Sequence, residues 1–139
     1  MGMTYAGDVT PPEAYAAVTG PDDAVLVDVR TSAEWSFVGV PDLAGAGKDV
    51  VFVEWSRFPG GAVNDSFVDD LRAAGVTPGR PVYFLCRSGV RSVAAANAAT
   101  AAGLGPAYNV LEGFEGPVDH AGHRHVSGWK VDGLPWSQQ

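Results

Sequence analysis

"PVYFLCRSGVRSVAAANAAT" spans residues 81 to 100 and reads as three pieces in succession. "PVYFLC" (81–86) is an apolar run of strand length, the kind buried on both faces of a parallel sheet. "SVAAANAATAAG" (92–103) is a small-residue helix that stops at Gly103. The turn "CRSGVRS" joins them and holds Cys86, the only cysteine of the chain. Strand, tight turn and helix make half of a βαβ unit, and the rest of the chain repeats the alternation.

"AVLVDVR" (24–30), "DVVFVEW" (49–55) and "AYNVL" (107–111) are further strand-like runs. "TPPEAYAAV" opens a helix: Thr10 is the N-cap, Pro11 takes the first helical position, and Glu13 closes a capping box. Gly20 and Pro21 end it. Thr31 or Ser32 can cap a short helix through Glu34 and Trp35. "NDSFVDDLRAAG" puts Phe67, Val68 and Leu71 on one face and stops at Gly75. "TPGR" (77–80) reads as a turn, and the residues after Leu111 read as coil. This order predicts an α/β domain, a mostly parallel sheet with helices on both faces. The length of 139 residues suits one domain over 1–139. In such sheets ligands sit at the carboxyl ends of the strands, and Cys86 stands at one.

Composition narrows the function. The formal net charge of −7 offers no basic face for nucleic acid. No apolar run approaches the length of a membrane span, and the N-terminus lacks a secretory pattern. One cysteine excludes an internal disulfide framework, so a reducing cytoplasm is the expected compartment. The acids are unevenly spread. From Leu71 to Leu111 there is no Asp or Glu, while Arg72, Arg80, Arg87 and Arg91 fall in that stretch. A small anion could be drawn there against the net charge. Buried strands and helices also carry few charges for ordinary packing reasons.

The turn has a chemistry of its own. Gly89 permits a positive φ or a close approach. The backbone N–H groups of the loop and of the first helical turn lack intrahelical partners and can form an anion nest at the positive end of the helix. Arg87 and Arg91 add charge, and Ser88 and Ser92 add hydroxyls. That setting favours the thiolate of Cys86, the nucleophilic form, without a nearby histidine. Otherwise Cys86 is a small buried hydrophobe at a strand end.

These residues resemble a known family. "CRSGVRS" after an apolar strand is similar to the active-site loop of single-domain rhodaneses, which are sulfurtransferases. "LVDVRTSAEW" (26–35) resembles the family's Asp-x-Arg and following Glu-aromatic pattern. "LEGFEG" (111–116) and "GWKVDGLPW" (128–136) resemble its closing segments, and all four occur in the family's order. The resemblance implies a five-stranded parallel sheet flanked by helices. It implies Cys86 as the nucleophile that takes sulfur from an anionic donor such as thiosulfate and passes it to cyanide, a thiol or a protein acceptor. It implies substrate binding by Arg87, Ser88, Gly89, Val90, Arg91 and Ser92. Asp28 and Arg30 are expected to support the loop as an ion pair. No cofactor and no metal are called for.

One stretch departs from the family. Gly39 and Pro41 remain in "FVGVPDLAGAGKD" (37–49), but the family's histidine is missing, and a longer excursion, "WSRFPGGAVND" (55–65), follows. Trp35, Trp55, Trp129 and Trp136 could shape the pocket rim or simply pack. His120, His123 and His125, with Asp119, read as a solvated loop rather than a metal site. A cysteine phosphatase needs five residues between Cys and Arg, and four separate Cys86 from Arg91. A binding module without catalysis and a redox sensor are the remaining rivals.

Overall fold

A computed structural model describes residues 5–21, 23–57, 60–87, 89–118, 120–124 and 126–138. Ser88, Asp119 and His125 therefore lie outside the described residues. Strand β1 (Gly7–Val9) leads to helix α1 (Pro11–Thr19) and strand β2 (Val25–Asp28). Helix α2 (Ser32–Phe37), strand β3 (Val40–Pro41), a 3-10 turn (Ala44–Ala46) and strand β4 (Val51–Phe52) follow. Then come α3 (Phe67–Ala73), β5 (Pro78–Leu85), α4 (Val90–Ala101), β6 (Gly105–Val110) and β7 (Trp136–Ser137). Five strands form one parallel sheet in the order β1-β6-β5-β2-β4. β3 and β7 pair antiparallel beside it.

The sheet is buried on both faces, as its apolar runs require. In β2 and just beyond it, Val25, Val27 and Val29 pack with α3 and α4 through Phe67, Leu71, Ala95 and Ala99. Leu26 points the other way, onto Ala14 and Val18 of α1 and onto Phe114 and Trp129 of the C-terminal segment. This alternation is the period of two along a strand. The expected capping box at Thr10 forms, and of the two candidate caps of α2 it is Thr31 that caps, with a box of its own. Thr10 accepts from the Glu13 N–H and Thr31 from the Glu34 N–H, and each Glu bonds back to its cap. No helix among the described residues is long and apolar enough to cross a membrane.

The structure corrects four expectations of extent. "TPGR" is not simply a turn: β5 starts at Pro78, with a register irregularity between Pro78 and Val82. The strand expected over 49–55 keeps its ladder only at Val51–Phe52. Helix α4 begins at Val90, two residues early, because Gly89 at φ 112° turns the chain at once. Residues after Leu111 are not all coil: β7 closes on β3, and Trp129 is fully buried, its indole N–H donating to the Pro135 carbonyl at 2.7 Å.

Candidate active site

Cys86 follows the last residue of β5, and β2 runs beside it with Asp28 opposite Leu85. The residue is 1% exposed. Its Sγ accepts the Gly89 backbone N–H at 3.0 Å and lies 3.2 Å from the Ser92 hydroxyl. Gly89 is the N-cap of α4, so the sulfur faces the positive end of a 12-residue helix. The loop is also held from behind. The Cys86 carbonyl accepts the Phe114 N–H at 2.8 Å, and the Arg87 carbonyl accepts those of Glu115 and Gly116 at 3.0 and 3.1 Å. A Cβ at Gly113 would collide with this backbone, 2.6 Å from the Arg87 carbonyl carbon. Only glycine fits there.

The arginines are not free cations. Arg91 forks onto Glu34 of α2, Nη1 to Oε1 at 2.6 Å and Nη2 to Oε2 at 2.9 Å. Burial works against the charge of Glu34, but the hydrogen bonds and charge of Arg91, with Thr31, outweigh it and hold the carboxyl below its usual range. Glu34 in turn pushes the Arg91 guanidinium up, against burial. Arg87, about half exposed, places Nε 3.2 Å from Glu115. The acid-free stretch of sequence thus receives its acids from elsewhere in the fold. Deeper in, Arg30 and Asp28 are both fully buried and joined at 2.7 Å. Arg30 also donates to the Gly39 carbonyl at 2.8 Å and stacks 4.2 Å from the centre of the Phe114 ring.

An open cleft of about 390 Å³ lies beside the loop. Arg87, Arg91 and Arg57 line its charged side; Ala33, Phe37 and Val38 line its apolar side. Arg57 comes from the 55–65 excursion. Buried Asn64 ties the described ends of that excursion together: it takes a hydrogen bond from Arg57 and gives two, to the Glu54 carbonyl and to Asp70.

The comparisons with known proteins agree with this fold. The Rhodanese-like domain family matches residues 10–119. The chain belongs to the rhodanese-like domain family. The crystal structure of Rv0390 from M. tuberculosis superposes with a TM-score of 0.90 at 54% identity, covering 98% of this chain and 100% of that one. An uncharacterized protein of Rickettsia conorii is 39% identical over 125 residues, 89% of this chain and 91% of the relative. The polysulfide-sulfur transferase homodimer of Wolinella succinogenes shares the fold, with a TM-score of 0.63 at 21% identity over 95% of this chain and 78% of that one.

In this rhodanese-like domain, Cys86, Gly89 and Ser92 come together at the sulfur, and Arg87 and Arg91 flank the cleft. Val90 is 78% exposed at the first turn of α4. Asp28 and Arg30 stand behind. None of the four tryptophans lines this cleft among the described residues. Trp55 packs on Phe67 and Trp35 on Phe52. His120 and His123 belong to no metal-holding cluster among the described residues. Sequence reading did not single out Glu115, Arg57, Phe37 or Asn109 for the site. Only Asn109 gave a signal: it is a lone amide inside an apolar strand, and a buried polar group needs a partner.

Proposed function

We propose that this protein is a sulfurtransferase that carries sulfane sulfur on Cys86. One observation carries the reading: the sulfur of the chain's only cysteine sits at the N-terminus of α4, bonded to the Gly89 N–H, beside a cleft edged by arginines. A persulfide anion formed there would meet the same donors. The Cys86 thiolate attacks the outer sulfur of thiosulfate. The bond between that sulfur and the sulfite sulfur breaks, and sulfite leaves with the electron pair. Cyanide or a thiolate then attacks the outer sulfur of the persulfide and returns Cys86 as thiolate.

Arg87, the more exposed of the two loop arginines, is the cation that meets the anionic donor, with its exchangeable partner Glu115 giving way. Arg91 holds the loop onto α2 through Glu34. Asp28 and Arg30 fix the floor and do not touch substrate. The packing of Trp129 and β7 on the same core favours reading 1–139 as one domain. The name of the Wolinella protein shows that this fold has hosted sulfur transfer elsewhere. A reducing, cytoplasmic setting fits a lone reactive thiol.

Intact-protein mass spectrometry after thiosulfate treatment, without reductant, tests the reading. The native chain should gain one sulfur, lose it to cyanide, and Cys86→Ser should gain none. A native chain that gains no sulfur while its thiol still alkylates would overturn thiosulfate as donor.

A further inference from the structure

A polar row crosses the α4 face of the sheet and ends on the reactive sulfur. Asp8 of β1 and Asn109 of β6 are Cα partners in register, and Asn109 pairs with Phe84 of β5. Side chains at such positions share a face. Asn109, 2% exposed, donates from Nδ2 to Asp8 Oδ1 at 3.0 Å. Its Oδ1 lies 2.5 Å from the Ser92 hydroxyl, which lies 3.2 Å from Cys86 Sγ.

Counting protons fixes the direction of this row. Asp8 is a carboxylate and can only accept, so Asn109 must turn its N–H₂ toward it. That leaves the amide oxygen facing Ser92, and an amide oxygen has no proton to give. The single hydroxyl proton of Ser92 therefore goes to Asn109, and a lone pair of Ser92 is left facing the sulfur. A thiol can donate to that lone pair. A thiolate cannot, and would need Ser92 to rotate and strand a buried carbonyl oxygen.

We propose that Asn109, oriented by Asp8, is a positioning residue that keeps the Ser92 proton off the sulfur and so favours the protonated form of Cys86 over what the Gly89 N–H and the end of α4 alone would set. The Gly89 N–H and the end of α4 favour the thiolate; the Asp8–Asn109–Ser92 row favours the thiol. The charged groups on the elements packed about this loop are Arg87 beside the cysteine, Arg91 of α4, Asp28 of β2 and Arg30 just beyond it, Glu34 of α2, and Glu112 and Glu115 after β6. Tyr5 donates to Asp8 at the far end, at 2.8 Å. The inference deepens the sulfurtransferase reading by adding a control on when its nucleophile forms.

The test is the pH–rate profile of Cys86 alkylation by iodoacetamide, with ultraviolet thiolate absorbance alongside, on the full chain. Asn109→Leu frees the Ser92 hydroxyl to turn to the sulfur. The profile should move to lower pH, with alkylation on its acid limb about tenfold faster. Asp8→Ala lies at the exposed end, leaves the core intact and lets the Asn109 amide reverse; it should move the profile the same way by a smaller amount. Ser92→Ala added to Asn109→Leu removes the freed hydroxyl and should cancel the move to lower pH. A profile that stays in place or moves to higher pH in Asp8→Ala, with circular dichroism unchanged, overturns the proposal. Thiosulfate-dependent mass gain is read on the same samples: its failure in the native chain would sink the sulfurtransferase reading and leave the proton assignment standing.

Discussion

Two ion pairs stand at the carboxyl edge of the sheet, and they are built differently. Asp28–Arg30 is fully buried, joined at 2.7 Å, and capped by the Phe114 ring and the Gly39 carbonyl. Glu34–Arg91 is equally short at 2.6 Å, but its side chains keep 20% and 25% of their exposure. The first is shut away from solvent, so each charge depends mainly on the other. The second borders the cleft and can exchange partners. One pair holds the floor under the loop; the other holds the loop's rim to α2.

Breaking the buried pair should do the most damage. Arg30→Ala leaves a buried carboxylate unpaired and should cost about 3–5 kcal/mol, much of a domain's stability. Urea unfolding measures it. A loss below about 1 kcal/mol would mean that water reaches Asp28 and the contrast is false.

At the rim, the arginines should separate by kinetics. Arg91→Ala should lower kcat for thiosulfate and for an uncharged persulfide donor alike, because the loop loses its tie to α2. Arg87→Ala should raise the thiosulfate KM about tenfold, leave the uncharged donor unaffected, and barely change the unfolding midpoint. A donor-selective effect at Arg91 would reassign the anion contact to it.

Acid should dissolve the rim pair. Glu34 is held below its ordinary value, so its contribution is complete above about pH 4.3 and is lost as pH falls through the lower, folded-state value. The stability difference between wild type and Glu34→Gln, about 1 kcal/mol near neutrality, should therefore shrink below about pH 4. A gap that persists at lower pH would show that charge is not what Gln removes. The smallest effect belongs to a pair far from the site: Arg72–Asp69, at 3.6 Å and largely exposed, should change stability by less than about 0.5 kcal/mol in Arg72→Ala.

What the sequence disclosed follows from how local each feature is. The first capping box was legible because Thr10 and Glu13 lie three residues apart, whereas the sequence leaves the cap of α2 open between Thr31 and Ser32, and the structure shows Thr31. The thiol's place at a strand end followed from "PVYFLC" and Gly89 alone. The acids that neutralise Arg87 and Arg91 were not legible, because Glu34 and Glu115 reach them only through the packed sheet. Three-residue β1 and two-residue β7 carry too few side chains for a period to register, and they become strands only because β6 and β3 offer edges. The row through Asn109 needs three strands in register before it exists.

The glycine behind the loop has a temporal consequence. Among the described residues, the carbonyls of Cys86 and Arg87 are paired by Phe114, Glu115 and Gly116, and the Gly113 carbonyl is paired by the Trp129 N–H at 2.9 Å. The sulfur's seat is thus assembled from chain that leaves the ribosome well after the cysteine itself. Until that later chain docks, the thiol has a strand and a helix beside it but no fixed loop between them. The loop that seats the sulfur is therefore fixed no earlier than the docking of Phe114, Glu115 and Gly116, the same step that completes the core on the α1 face.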